Sequence, residues 1–336
     1  MKIGNLLFPG YVCGQSGIQG YFGEGDEYPH HAFYKYIPGF NFKGISFVTK
    51  TATLPARIYP ENSNTKLVDT YKVAEFCPPS IWWSIKSLWK GYMLNAVGLA
   101  GPGLAVLLGY GKWQQRNEPL QISVMLMEKG LEDRLAEAGA ICRMILKNMD
   151  PRVRYALQIN FSCPNTGHEQ SKDVEGIIPI LELCRKILPG VPLIPKFDLL
   201  VEPETISRLK PYCDAFCVAN TIPFGKKESA QWWCRLFRDG RSPLVQQLSP
   251  YVKGTFEGGL SGAPLFPVLV KWLEEMEKHD SSVSIIAGGG IMKKKDIKRL
   301  SEFRIVRGVA LGSVAIMRPW RLQGLIRYGN QIFSER

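Results

Sequence analysis

The sequence lacks the features that mark several specialised classes of protein. It contains no run of about 18 consecutive apolar residues, so we expect no membrane-spanning helix. Its first residues lack the apolar core and the cleavage site of a signal peptide, which predicts a cytoplasmic location. No internal repeat and no low-complexity linker divides the chain, so we expect one folded unit.

Motifs that bind structural metals are also missing. The eight cysteines form no Cys-x-x-Cys pair, and Cys213 and Cys217 have no second ligand pair nearby. We therefore predict that the chain holds no metal in a zinc or iron–sulfur site. Without an export signal, the thiols of a chain this long are expected to be reduced rather than paired in disulfides.

Charge is the first positive signal. The 336 residues include 42 Lys and Arg against 30 Asp and Glu, a formal net charge of +12. A high isoelectric point can indicate a nucleic-acid-binding protein, but the basic residues are scattered along the chain. Because a basic protein also attracts small anions, we predict a small anionic ligand and no nucleic-acid partner.

Short strand-like segments alternate with helical ones along most of the chain. The strand-like segments are residues 44–49, 92–94, 121–126, 155–161, 191–197, 214–219, 283–287 and 305–311. Helical periodicity lies between them, at residues 130–148, 176–188, 202–209, 264–278 and 296–303. Eight strands alternating with helices predict an α/β fold, a (β/α)₈ TIM barrel. A doubly wound open sheet is the alternative, but no G-x-G-x-x-G follows the first strand.

We expect residues 1–336 to form a single barrel domain with two insertions, at about residues 51–91 and 222–257. Both insertions follow strand ends, so both should extend βα loops on the catalytic face. The first contains Trp82, Trp83 and Trp89 among lysines. An amphipathic membrane element is one interpretation of this pattern. We favour packing or a subunit contact, and we predict no membrane contact.

Polar residues recur at the carboxyl ends of the predicted strands, where barrels of this kind build their active sites. Lys50 and Thr51 follow the first strand, Asn95 the second, Asn160 the fourth and Lys196 the fifth. The sixth strand runs into Asn220-Thr221. Buried Lys and Asn are uncommon unless they are paired, so their recurrence at one end of successive strands predicts an active site there.

Glycine clusters follow the last strands. Gly288-Gly289-Gly290 comes after the seventh strand, Gly312-Ser313 after the eighth, and residues 258–262 form another glycine-rich turn. Barrels frequently bind phosphate in this region through backbone N–H groups. Glycines also simply make turns, but three clusters at one end of the barrel predict a phosphorylated cofactor.

Residues 160–165, Asn-Phe-Ser-Cys-Pro-Asn, resemble the N-x-S-C-P-N signature of class 1 dihydroorotate dehydrogenases, which are FMN-containing barrels. Residues 46–54 look like the family's first strand with its flavin- and substrate-contacting lysine. Residues 95–99 are similar to its N-x-x-G-L substrate segment, and residues 14–17 to a flavin-contacting S-G segment. The later segments follow in the family's order, so the resemblance covers about residues 10–325.

The resemblance implies FMN-dependent oxidation of (S)-dihydroorotate to orotate in pyrimidine biosynthesis. Cys163 would be the general base, and Lys50 would be a second catalytic residue that contacts both flavin and substrate. The implied substrate-binding residues are Asn95, Gly98, Leu99, Asn160, Asn165, Asn220 and Thr221. The implied cofactor-binding residues are Ser16, Gly17, Lys50, Thr51, Asn160, Lys196, Gly262, Gly288, Gly289, Gly290, Gly312 and Ser313.

The chemistry agrees with these roles. Oxidising dihydroorotate removes a proton from one carbon and a hydride from its neighbour, so a base must lie opposite the flavin. A cysteine acts as the thiolate, and Lys50 with the loop amides would give Cys163 the polar setting that it needs. Several amides suit a planar pyrimidine.

Departures from the family pattern leave alternatives open. The loop after Asn95 lacks a second asparagine, and the third strand runs into Leu126-Met127-Glu128 without the usual glycine. A related flavoenzyme acting on another dihydropyrimidine or unsaturated ring, similar to dihydropyrimidine dehydrogenase, is one alternative. A flavin electron-transfer subunit is another. We expect a homodimer, and the electron acceptor is open among fumarate, a quinone and an NAD-linked partner subunit.

Overall fold

The computed structural model describes residues 1–23, 31–57, 65–68, 72–76, 87–95, 98–162, 173–223, 236 and 258–336. In chain order the strands are β1 (Lys2–Ile3), β2 (Leu6–Leu7), β3 (Val12–Gly14), β4 (Thr65–Val68), β5 (Lys72–Phe76), β6 (Tyr92–Asn95), β7 (Leu120–Val124), β8 (Tyr155–Asn160), β9 (Leu193–Phe197), β10 (Phe216–Val218), β11 (Ile222–Pro223), β12 (Gly259–Gly262), β13 (Ile285–Gly288) and β14 (Val306–Leu311). The α-helices are α1 (His31–Tyr34), α2 (Leu104–Gly109), α3 (Leu131–Asn148), α4 (Val174–Ile187), α5 (Pro203–Leu209), α6 (Phe266–His279), α7 (Lys294–Ser301), α8 (Ser313–Met317) and α9 (Leu322–Ser334).

One sheet dominates the structure. Its seven strands are parallel and follow the order β3-β14-β13-β10-β9-β8-β7. Parallel bridges from Cys13 to Ser46 and from Val48 to Gln121 join its two edges. There Ser46 N donates to Val12 O at 2.7 Å, and Gln121 N donates to Phe47 O at 3.0 Å. Eight segments therefore close a barrel, and the predicted TIM-barrel fold is confirmed.

The membership of the barrel differs from the prediction in one strand. Residues 92–94 belong to β6, which pairs antiparallel with β12 in a separate sheet. The missing barrel strand is β3, whose three residues are all buried. Apolar runs of this length do not show which neighbour supplies their backbone hydrogen bonds. The sequence therefore indicated the number of strands but assigned one of them wrongly.

The helices agree closely with the predicted periodic segments. Helices α3, α4, α5, α6 and α7 lie where helical periodicity was found, with ends shifted by a few residues at most. Their apolar faces pack against the outside of the barrel, which forms the larger core. On α3, Leu131 is 39% exposed while Arg134 and Glu137 are buried. Leu131, the first apolar residue of this helix, therefore does not contribute to its buried face.

The inside of the barrel forms a second, smaller core. Its buried members come from the inward faces of the strands and from the β1–β2 hairpin below them, and they are Met1, Ile3, Phe8, Cys13, Val48, Ala156, Ile194, Ala215, Cys217, Ala219, Ile286 and Ala310. Most are small, so the barrel is filled rather than hollow. A ligand must therefore bind at the mouth of the barrel and not inside it.

The small sheet β11-β12-β6 lies at the carboxyl end of the barrel strands. Strand β11 begins shortly after Asn220, at the end of β10. Gly290, just past β13, lies so close to Gly262 that an added Cβ would be 2.5 Å from the Gly262 carbonyl oxygen. This contact holds β12 at the mouth. Strand β6, with the Asn95 backbone, lies there as well because it pairs antiparallel with β12. The predicted location of Asn95 at a barrel strand end is therefore wrong.

Most of the two predicted insertions falls outside the described residues, including Trp82 and Trp83. Trp89 is 85% exposed, so it does not pack into the core. Within the described ranges, no helix is both long and apolar enough to cross a bilayer. No group of metal-ligating side chains is found in the same ranges.

Candidate active site

Two lysines are buried at the mouth of the barrel. Lys196, at the end of β9, is 3% exposed, and its Nζ donates a hydrogen bond to Ser16 Oγ at 2.8 Å. Lys50 is 5% exposed, and its Nζ lies 5.0 Å from the centre of the Tyr21 ring. Buried ammonium groups require compensating partners. The structure thus places both predicted lysines in polar or aromatic surroundings at one end of the barrel.

A chain of hydroxyl groups connects Lys196 to the opposite wall. Thr51 Oγ1 donates to Ser16 Oγ at 3.2 Å and lies 2.9 Å from Ser123 Oγ. Thr49 Oγ1 accepts a hydrogen bond from Ser123 N at 2.9 Å, which fixes the backbone there. We call Ser16, Thr51, Ser123 and Lys196 the mouth layer. Three of its four members were predicted as cofactor-binding residues.

The predicted amides form a second cluster beside the mouth layer. Asn220 Nδ2 donates to Asn160 Oδ1 at 3.1 Å and to Ser162 O at 2.7 Å. Asn160 Oδ1 also accepts from Ser162 N at 3.2 Å, while Asn220 Oδ1 accepts from Thr221 N at 3.0 Å. The backbone N–H of Ser162 fixes the orientation of the Asn160 amide, since only the oxygen can accept. The amide nitrogen of Asn160 then faces away from the cluster.

The segment around Gly98 and Leu99 is held from two sides. The Arg57 guanidinium donates to Gly98 O at 3.3 Å through both Nε and Nη2. Tyr21 Oη donates to Ala100 O at 3.2 Å. Leu99 has φ of 60°, in the left-handed region that is unfavourable for a residue with a Cβ. These contacts hold the predicted substrate segment in a backbone conformation that leucine alone would not favour.

The glycines after the last strands allow close packing of the chain on itself. An added Cβ on Gly288 would lie 2.6 Å from Ala219 Cβ, and one on Gly312 would lie 3.0 Å from Gln15 Cγ. Gly290 meets the Gly262 turn as described above. Helix α8 begins at Ser313, and its N-cap residue is Gly312, which has no side chain that could cap the helix. Its first N–H groups are therefore not consumed by a capping side chain.

Two predicted residues, Cys163 and Asn165, lie outside the described residues. The backbone of Asn95 is described, in register with Gly259, but its side chain is not. Gly17 is described, with φ of 104° in the turn after β3. The predicted base therefore stays a prediction.

Sequence reasoning missed three residues that organise this mouth: Tyr21, Arg57 and Ser123. Ser123 is fully buried, and in the sequence it is one small residue within an apolar strand. The signal that could have found it is alternation. Gln121 and Ser123 share a strand face, which marks that face as polar in an otherwise apolar segment.

A second polar group lies deeper in the barrel, and we call it the inner layer: Cys13, Gln121, Gln158 and Cys217. Gln158 Nε2 donates to Gln121 Oε1 at 3.1 Å, and Gln121 Nε2 lies 3.4 Å from Cys13 Sγ. Burial raises the pKa of Cys13 to about 12 and that of Cys217 to about 11. Both thiols are therefore protonated at neutral pH and are not nucleophiles.

Comparison with known proteins adds independent information. No family model matches the sequence. The dihydroorotate dehydrogenase B (NAD⁺) catalytic subunit of Thermotoga petrophila is 25% identical over 245 residues, covering 70% of this chain and 77% of the relative. The subunit of the same name from Thermodesulfovibrio yellowstonii is 25% identical over 305 residues, covering 88% of this chain and 81% of the relative.

Solved structures show the same fold. Ligand-free DHODH from Eimeria tenella has a TM-score of 0.63 and 17% identity, covering 98% of this chain and 85% of that structure. With the curated relatives, this places the chain among the α/β-barrel oxidoreductases. Within that class, the curated relatives to which the chain is similar are dihydroorotate dehydrogenases, and they support an assignment to that family.

Proposed function

We propose that this enzyme uses FMN to oxidise (S)-dihydroorotate to orotate, with Cys163 as the general base. The observation that carries the proposal is the meeting of two buried lysines, a hydroxyl chain and an amide cluster at one mouth of the barrel. The relatives named dihydroorotate dehydrogenase support the substrate.

The residues at the mouth fit FMN. Its ring needs polar and cationic neighbours, which Ser16, Thr51 and Lys196 offer at the mouth of the barrel. Its phosphate needs backbone N–H groups, which the uncapped start of α8 and the turn after β13 offer. When bound, FMN supplies the acceptor for the hydride that leaves the substrate. The +12 net charge favours both the phosphate and an acidic substrate.

The amide cluster gives its members different tasks. The Asn220 side chain is occupied by Asn160, Ser162 and Thr221, so we assign it to orienting its neighbours. The Asn160 oxygen is occupied as well, which leaves the Asn160 amide nitrogen to donate to a carbonyl oxygen of the substrate. Asn95, Asn165 and the Gly98–Leu99 backbone would complete the polar contacts of a planar pyrimidine.

The proposed base follows directly on this cluster in the sequence. Ser162 is 5% exposed, and both its N–H and its carbonyl are hydrogen-bonded to the amide pair. The residue before Cys163 is thus fixed beside the proposed substrate amides. In the proposed reaction Cys163, as the thiolate, takes the proton from one substrate carbon while the hydride leaves the neighbouring carbon.

Anaerobic mixing of the purified protein with dihydroorotate tests the proposal. We expect flavin absorbance that bleaches on mixing, and Cys163→Ala should slow the bleaching by about 10²- to 10⁴-fold. The matched control is Cys213→Ala, because Cys213 lies before β10, away from the mouth. Protein that binds no FMN would refute the function. Bleaching by other dihydropyrimidines but not by dihydroorotate would favour the alternative substrate.

The electron acceptor and assembly need separate measurements. Turnover of the isolated chain with fumarate or a quinone would show that it needs no partner, whereas turnover only with an added NAD-linked subunit would show the opposite. We also propose a homodimer and a cytoplasmic location. Sedimentation of the purified protein checks the first, and cell fractionation checks the second.

A further inference from the structure

We propose that Ser123 is a positioning residue that fixes the direction in which the Ser16 hydroxyl donates its hydrogen. The inference rests on the proposed function, because it concerns how Ser16 meets the flavin. Ser123 has no role in the resemblance set out above, and in the part of the chain that the structure describes its hydroxyl is linked to Ser16 through Thr51.

The two hydrogen bonds to Ser16 use up its acceptor capacity. Lys196 Nζ donates to Ser16 Oγ at 2.8 Å, and an ammonium group can only donate. Thr51 Oγ1 lies 3.2 Å from the same oxygen. A serine hydroxyl has two lone pairs and one hydrogen. If Thr51 donates, both lone pairs of Ser16 Oγ are occupied and its hydrogen must point elsewhere.

Burial decides which way the chain of hydroxyls runs. In the reverse direction, Ser16 would donate to Thr51, Thr51 would donate to Ser123, and the Ser123 hydrogen would need another acceptor. Ser123 is 0% exposed, and among the described residues Thr51 is the only hydrogen-bond partner of its hydroxyl. A buried donor without an acceptor is strongly disfavoured. The chain therefore runs from Ser123 to Thr51 to Ser16.

The direction of this hydrogen-bond chain leaves the hydroxyl hydrogen of Ser16 without an acceptor in the chain itself. Ser16 is only half-buried, so its hydrogen can point out of the protein toward the mouth of the barrel. With FMN bound, this hydrogen would be available to a hydrogen-bond acceptor of the flavin ring, which offers nitrogen and carbonyl oxygen atoms. A donor stabilises the electron-rich reduced ring more than the oxidised ring, because hydrogen bonds to charged acceptors are stronger. Ser123 thereby acts on the cofactor through two other residues.

The experiment compares holoenzyme variants by two readouts other than turnover, the FMN dissociation constant and the flavin midpoint potential. Ser123→Ala removes the donor that sets the direction, and Thr51→Val removes the link. Thr51→Ser keeps the link and serves as the conservative variant. The matched control is Ser46→Ala, since Ser46 is another fully buried serine whose hydroxyl donates to Gly10 O at 2.8 Å, away from the chain.

For Ser123→Ala and Thr51→Val we expect FMN binding to weaken by about 3- to 10-fold, the effect of one neutral hydrogen bond, and the midpoint potential to fall. Ser46→Ala should match the wild-type protein in both, and Thr51→Ser should stay closer to the wild-type values than Thr51→Val. Unchanged binding and potential in Ser123→Ala and Thr51→Val would overturn the inference. Wild-type protein without FMN would instead refute the proposed function, so the two failures are distinguishable.

Discussion

The mouth layer and the inner layer both place polar side chains inside the same barrel, yet they differ in charge and exposure. The mouth layer contains an ammonium group, Lys196, and ends at a half-buried hydroxyl, Ser16. The inner layer contains two amides and two protonated thiols, all buried. On β7, Gln121 of one layer and Ser123 of the other are only two residues apart.

The difference shows how a barrel separates stability from chemistry. Neutral groups such as Gln121 and Gln158 hydrogen-bond to one another and carry no charge that calls for a ligand. A buried cation such as Lys196 is costly to desolvate, and its position at the mouth suits the anionic or electron-rich ligand proposed there. Substitutions in the mouth layer should therefore change cofactor properties, and substitutions in the inner layer should change the free energy of unfolding.

The largest effect is expected from Lys196→Met, which removes the charge but keeps most of the side-chain volume. Charge-assisted hydrogen bonds contribute about 1.5–3 kcal/mol, so FMN binding should weaken by about 10- to 100-fold. Fluorescence titration of the apoprotein with FMN measures this. Lys210→Met is a control, because Lys210 pairs with Asp280 elsewhere on the molecule, with Nζ 3.0 Å from Oδ2. Equal FMN affinity in the two variants would remove the proposed distinction between the layers.

Substitutions in the inner layer should change the free energy of unfolding. Gln121→Leu leaves the Gln158 amide nitrogen buried without its present acceptor, which should lower the free energy of unfolding by about 1–3 kcal/mol. The double variant with Gln158→Leu should recover much of this, because removing both partners leaves no such group. Urea denaturation gives the free energies. A changed flavin potential in Gln121→Leu, without lost stability, would contradict this assignment.

The smallest effect is the pH dependence from the two inner thiols. Burial raises the pKa of Cys13 to about 12 and of Cys217 to about 11 from a usual value of 9.0. The folded state therefore holds these protons more tightly than the unfolded state. Their contribution to stability is fully present below about pH 9 and is lost as the pH rises toward these folded-state values.

Unfolding by urea between pH 8.5 and 10.5 (roughly the range where unfolded thiols ionise) checks this contribution. Cys217→Ala should reduce the slope of stability against pH by about 1 kcal/mol per pH unit, whatever its effect on absolute stability. A slope identical to that of the wild-type protein would show that the inner thiols do not contribute.

Much of the fold was predictable because its signals are local. Helices α3 to α7 follow periodicity within single segments, and the polar strand ends at Lys50, Asn160 and Lys196 are visible without any partner. The error at residues 92–94 has a different origin. Strand β6 and strand β3 are both short and apolar, and only pairing with distant segments separates a barrel strand from a strand of the small antiparallel sheet.

Some properties of the candidate site could likewise be predicted from the sequence, and others could not. The sequence by itself determined the class of fold, the residue types at the mouth and the family resemblance, because each depends on composition and spacing along the chain. Tertiary structure alone decided that Ser123 reaches Ser16 through Thr51, that Asn220 is occupied by its neighbours, and that Arg57 holds the Gly98 carbonyl. These are contacts between residues far apart in sequence, and hydrogen-bond direction depends on burial, which only the folded chain defines.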